Sequence, residues 1–236
     1  MENEAYWSDA WRRHIDDYLA APPRLSYWLA QRFPDRGLSL LQLAAGSCRD
    51  SIRLAEMGYD SIGTDFDHST LDYIRERFPQ YRDKVRHADA FDLDMPDRSV
   101  DVTVSNGFWV LFDDDEKVVQ LLREQVRVSR RFAVFVTQNG ENPRLRRAFA
   151  ELKKSDNLYD IRFFTRVDIR RLVAASGVRY KSIKMHPFGG APDLLFDRRI
   201  KGIPNPLRGL APRLAARLYA LLPWRKAERI ITILEV

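Results

Sequence analysis

The sequence predicts an α/β chain, a mostly parallel sheet with helices on both of its faces. Two observations carry this. From residue 38 onward, short apolar runs of strand length alternate with helical patterns. The first run is followed at once by small residues, Ala44, Ala45, Gly46, Ser47 and Cys48, and an acid, Asp65, stands 19 positions after Gly46 (65 − 46) at the end of the second run. A roughly 20-residue spacing between such a loop and a carboxylate is the spacing at which an acid meets the ribose of a bound nucleotide.

Residues 1–35 read as an N-terminal helical cap. Trp7, Trp11, Ile15 and Leu19 recur every fourth position beside Tyr6, Pro22-Pro23 break the pattern, and a second helix runs over 25–33 to Pro34. His14 lies off that aromatic stripe. The remainder, 36–236, opens with the strand 38–43, and Arg49-Asp50-Ser51 begin a helix that Gly58 stops. Small side chains let a ligand approach the backbone, and the helix start offers unpaired N–H groups. Asp65 ends the strand 61–64 and can accept from two vicinal hydroxyls.

Phe66, Asp67 and His68 precede a helix over 69–78, and 86–88 form a short strand followed by Asp89, Ala90 and Phe91. The strand 100–104 ends in Ser105, Asn106, Gly107, Phe108 and Trp109, at the end of the sheet where open α/β proteins bind ligands. Acids 113–116 open the helix running to 128, where the dipole favours them over a metal role. No metal site is expected. The strand 132–137 ends in Gln138 and Asn139. Helices follow over 143–153 and 167–176, with Gly177 as C-cap, then a strand over 178–185 ending near His186.

Three segments together, LQLAAGSCRDS, IGTDFD and HADAFDLDMPDRSVDVTVSNG, resemble the class I S-adenosylmethionine (SAM) dependent methyltransferases, in particular the small type 11 group, over roughly residues 38–140. The resemblance implies a Rossmann-like seven-stranded sheet whose antiparallel seventh strand, 229–236, lies at the edge, and SAM as cofactor. It implies cofactor contacts from Leu43, Ala44, Ala45, Gly46, Ser47 and Asp50 in the loop, Asp65 on the ribose, Phe66 on the adenine face, Asp89, Ala90 and Phe91 near adenine, and Asn106 and Gly107 at the fourth strand. The sequence departs from the family at Gln42, where an acid is usual, and at Ala44 and Cys48, where glycines are usual. Alanine is tolerated where φ is negative, and Cys48 is expected to bring a side chain toward the ligand.

Residues 187–228 are then a basic helical insertion between the last two strands. Between Arg198 and Arg229 stand nine basic residues and one acid, Glu228, so the chain's net charge of +6 is concentrated there. In the helix 213–222, Leu214, Leu218, Leu221 and Leu222 share one face. Three readings remain open: the helix lies in an anionic membrane interface, its leucines cap the domain core, or its arginines bind RNA phosphates, the weakest of the three because no stacking aromatics are interleaved.

A single cysteine excludes a disulfide framework, a cysteine-ligated zinc site and the iron–sulfur cradle of radical SAM enzymes. With no N-terminal apolar leader and no apolar run of membrane-spanning length, the chain reads as cytoplasmic, with a peripheral place at the inner membrane face as the corollary of the basic insertion.

The function expected is methyl transfer to a hydroxyl on a small-molecule or glycan acceptor, a sugar or lipid-linked glycan. A general base is expected at His186 first and His14 second. The alternatives are an RNA or protein methyltransferase, and a catalytically silent partner subunit of the same fold.

Overall fold

The computed structural model describes residues 4–200 and 202–236, the side chains at 4–8, 10–12, 199 and 200 excepted. Tyr6, Trp7 and Trp11 of the expected stripe, and Arg199 and Lys201 of the basic segment, fall on the excepted positions.

Seven strands make the main sheet: β1 (Ser39–Leu43), β2 (Asp60–Asp65), β3 (Val85–His87), β4 (Val100–Asn106), β5 (Ser129–Gln138), β6 (Ser182–Phe188) and β9 (Arg229–Glu235). Two more, β7 (Arg199–Ile200) and β8 (Ile203–Pro204), form a small hairpin inside the insertion. The order is β3-β2-β1-β4-β5-β9-β6. All neighbours are parallel except at β9, which runs antiparallel to both β5 and β6. The expected antiparallel final strand is therefore present, but it is not at the edge. It lies between β5 and β6, and β6 is the edge. The burial pattern accounts for this: the Ile230–Leu234 run of β9 is fully or nearly fully buried on both faces, which only a flanked strand achieves.

The helices are α1 (Glu4–Ala20), α2 (Arg24–Arg32), α3 (Arg49–Glu56), α4 (His68–Arg77), α5 (Asp115–Val128), α6 (Pro143–Leu152), α7 (Arg166–Ser176) and α8 (Ala211–Ala220). Alternation along the buried strands sends Leu41, Leu43 and Phe135 to the face covered by α5 and α7, and Leu40, Val104 and Val136 to the face covered by α2 and α8. A third cluster, Ile15 of α1 with Ala45, Cys48, Ile52, Leu71 and Ile74, seats the N-terminal helix over the starts of α3 and α4. Gly177 ends α7 with φ 67°, as its C-cap position requires.

The insertion bears on the open readings of its leucine face. Helix α8 buries Ala211, Ala215 and Tyr219 against the core, at a strict four-residue spacing. Its leucines divide: Leu222 is half-buried against the core and Leu214 is half-buried, while Leu218 is 39% and Leu221 is 78% exposed. Small alanines let α8 approach α2 closely, Tyr219 meets Phe188 of β6 ring to edge, and Leu218 and Leu221 are left to the outside.

Candidate functional site

The strand order reverses between β1 and β4, so the loops after them diverge and leave a crevice at their carboxyl ends. The loop after β1 has an alternating backbone. Ala44, Gly46 and Cys48 all take left-handed φ, at 46°, 50° and 49°. Glycine alone adopts this without cost, so Ala44 and Cys48 carry strain of about 1 kcal/mol or more each. The negative φ that would have made alanine harmless at 44 is not what the structure has.

Cys48 also departs from expectation in its direction. Its side chain is fully buried in the α1–α3–α4 cluster, with Sγ 3.0 Å from where a Cβ on Gly63 would stand. It turns into the core rather than toward a ligand, and burial pushes its thiol pKa far up.

Asp65, at the end of β2, turns inward. Its Oδ2 accepts the Gly46 N–H at 2.7 Å and its Oδ1 the Asp67 N–H at 3.2 Å. Burial holds its carboxyl above the usual range, while those backbone donors act the other way. Acid and glycine loop thus form one unit, with oxygen lone pairs left over for further donors. Asp67 caps α4 through the Ser69 and Thr70 N–H groups. Phe66 beside it is half-buried.

At the next strand end, Asp89 accepts from Phe91 N–H at 2.9 Å. Phe91 packs edge-on against Phe108 and Phe112, 6.2 and 5.4 Å between centroids, and builds an aromatic wall beside the end of β4. Ala90 is buried behind it. Gly107 has φ 72° and open space where a side chain would project. Asn106 accepts from Arg229 at 3.3 Å.

Several expected contacts have other tasks. Leu43 points into the α5–α7 core, so only its backbone meets the loop. Asp50 is buried and accepts the Ser26 N–H of α2 at 3.1 Å, satisfying one of the donors a helix start leaves open. Asn139 is fully buried and donates to the Trp224 and Ala227 carbonyls, pinning the end of the insertion. Ser47 is buried within the loop. Gln42, standing where the family has an acid, is buried with its Oε1 unpartnered.

The two histidines part company. His186 lies two positions short of the crevice end of β6, and its ring meets Trp28 of α2 edge-on at 5.4 Å. Burial, then Arg32 and Lys184, lower its pKa. That is a packing position on β6, at the edge of the sheet under α2. His14 of α1 instead has a partner invisible in the sequence: its Nε2 is 3.5 Å from Oδ2 of Asp156, beyond α6.

Sequence reasoning passed over a cationic group at the crevice. Arg229 is held below the ordinary arginine pKa by burial and by Arg24, with Arg49 adding to it and Glu228 opposing. Arg24 pairs with Asp193, which also accepts from Tyr219 of α8, so the crevice is wired to the insertion. Arg49, next to the small-residue loop, was the one local signal for this group; Arg24 and Arg229 are brought to it only by the fold.

The site fits an adenosine-type cofactor on three counts: a loop free of bulky side chains, a buried carboxylate fastened to that loop, and an apolar wall with a glycine opening beside it. Comparison with known proteins agrees with the fold. The family described as a methyltransferase domain matches residues 41–137. A protein of Mycolicibacterium smegmatis named "Probable S-adenosylmethionine-dependent methyltransferase" is 32% identical over 105 residues, 44% of this chain and 35% of its own length. The chain thus spans about a third of that curated relative.

Among solved structures, a SAM-dependent methyltransferase of Thermotoga maritima superposes with a TM-score of 0.62 at 16% identity, over 96% of this chain and 95% of that one. One of Archaeoglobus fulgidus gives 0.62 at 15%, over 94% and 97%. The magnesium protoporphyrin IX methyltransferase of Synechocystis PCC 6803 with bound S-adenosylhomocysteine gives 0.56 at 12%, over 95% and 83%. Residues 41–137 match the methyltransferase domain family, inside a chain with the fold of the class I SAM-dependent methyltransferases.

Proposed function

We propose that this chain transfers a methyl group from SAM to a hydroxyl of a sugar or lipid-linked glycan. The observation that carries the methyl-transfer half is the Asp65–Gly46 unit at the switch point of the sheet, in a segment that matches the methyltransferase domain; the acceptor half rests on the basic insertion beside the crevice. When bound, SAM supplies an activated sulfonium methyl, so the protein's part is to bind, orient and exclude water. Asp65 accepts ribose hydroxyls, Asp89 and Phe91 border the adenine, and the Asn106–Gly107 backbone lines the floor. Arg229, Arg24 and Arg49 offer positive charge for a carboxylate.

His14 is the base for the acceptor hydroxyl. Asp156 stands 3.5 Å from Nε2, within ion-pair range though no hydrogen bond is formed, and a small approach of its carboxylate would make Nε2 the protonated nitrogen and leave Nδ1 as the acceptor. Its support is that His14 has an acidic partner, whereas His186 is packed against Trp28.

Calorimetry of the full chain with S-adenosylhomocysteine tests the cofactor half, and binding below millimolar is expected. No binding at millimolar ligand returns the chain to a silent partner subunit. Release of S-adenosylhomocysteine with glycolipid extracts, but not with RNA or protein, tests the acceptor half; the reverse result removes the glycan.

A further inference from the structure

We infer that the insertion between β6 and β9 is a docking surface for an anionic membrane. The inference stands on the outer face of the insertion and does not depend on methyl transfer. Pro192, Leu194 and Leu195 form one wall and Leu218, Leu221 and Leu222 the other of an apolar groove of about 360 Å³. Its rim is exposed, Leu194 by 50% and Leu221 by 78%. Ile203 at 69%, Leu207 at 47% and Leu210 at 45% continue the apolar surface along the insertion. A run of outward leucines of this length is not a scatter of single apolar residues, which need no explanation.

Charge selects the occupant. On α8, Arg213, Arg217 and Leu221 follow one another at four-residue spacing, beside the strip Leu214–Leu218, so guanidinium and leucine share one side of the helix. Arg198, Arg208, Arg213, Arg217 and Lys226 are all exposed, and among the described residues none of them forms an ion pair with a carboxylate. The insertion's Asp193 is turned inward onto Arg24 and Tyr219. A leucine strip bordered by free cations is the composition that settles between lipid headgroups and acyl chains. Groove and crevice are neighbours: the groove begins at Ala191, three residues after β6 ends, and Asp193 ties it to Arg24. The surface therefore presents the crevice to molecules held in the bilayer.

The test is co-sedimentation of the full chain with phosphatidylcholine vesicles and with vesicles containing phosphatidylglycerol, at physiological salt. Binding to the anionic vesicles is expected, with about tenfold or greater loss on the charge reversals Arg213→Glu with Arg217→Glu. A comparable loss is expected for Leu221→Ser with Leu218→Ser, exposed positions whose change leaves the core intact. Tm by circular dichroism serves as the folding control and stays unchanged in every variant. Absence of vesicle binding, or equal binding to neutral and anionic vesicles, overturns the proposal. So does a dimer in sedimentation velocity that the leucine variants dissolve without any vesicle binding, which assigns the groove to a second copy. RNA retention lost with the arginines but not with the leucines also overturns it. Failure to bind S-adenosylhomocysteine, with vesicle binding intact, strikes the proposed activity alone.

Discussion

Asp65 fastens the loop that precedes it: its Oδ2 accepts the N–H of Gly46 at 2.7 Å, closing the β1 loop onto the end of β2. One carboxylate thereby shapes the backbone of the crevice and faces its contents.

Asp65→Ala removes both tasks. A charge-assisted hydrogen bond is worth about 1–3 kcal/mol, so S-adenosylhomocysteine is expected to bind about five- to 150-fold more weakly by calorimetry. Asp65→Asn keeps the acceptor oxygen toward Gly46 and is expected to lose less. An unchanged affinity in Asp65→Ala removes the ribose role.

Loss of the base acts on turnover and not on cofactor binding. His14→Gln is expected to lower kcat about a hundredfold or more, and Asp156→Asn to lower it less, while the affinity for S-adenosylhomocysteine is unaltered in both. His186→Gln is expected to leave kcat within a few-fold of the parent. Should His186→Gln abolish turnover and His14→Gln spare it, the assignment is reversed.

The packing of the loop's underside is tested at Gly63. A Cβ there collides with Ser51 Oγ and stands 3.0 Å from Cys48 Sγ. Gly63→Ala is expected to cost about 1–3 kcal/mol through overpacking, read as a fall in Tm of several degrees. Adding Ser51→Ala removes the closest atom and is expected to recover part of the loss. Purely additive effects would mean that the loop moves aside.

Acid sensitivity follows from carboxylates at the rim of the crevice. Arg166 donates Nε and Nη2 to Glu141 at 2.8 and 3.0 Å and stacks on Trp224 at 4.3 Å. Arg166 holds the Glu141 carboxyl below its ordinary 4.5, against the opposing effect of burial. A depressed folded value makes this stability complete above the unfolded pKa and lost as pH falls through the folded one. Tm is therefore expected to drop as pH is lowered below about 4.5, and Glu141→Gln to flatten that drop while lowering Tm at neutral pH. Identical pH slopes for parent and variant would remove Glu141 from the account.

Much of the architecture is local information. The apolar runs, the small residues after 43, the caps at Asp67 and Gly177 and the position of Asp65 are properties of short stretches, and each appears within a few residues of where the pattern puts it. The resemblance to the methyltransferases is carried by the same stretches, which is why it was legible without coordinates.

What only the tertiary structure decided is which side of each element is spent on its neighbours. Periodicity showed that α8 has a leucine face, but α2 and β6 took its alanines and Tyr219, because small residues pack closest, and Leu218 and Leu221 were left outward while Leu222 packs on the core. Spacing placed Cys48 in the ligand loop, and its left-handed φ turned the thiol into the core. His14 and Asp156 stand 142 positions apart (156 − 14), and Arg24 and Arg229 are further apart still. No local pattern encodes such meetings, because they depend on the strand order that folds both ends of the chain over one crevice.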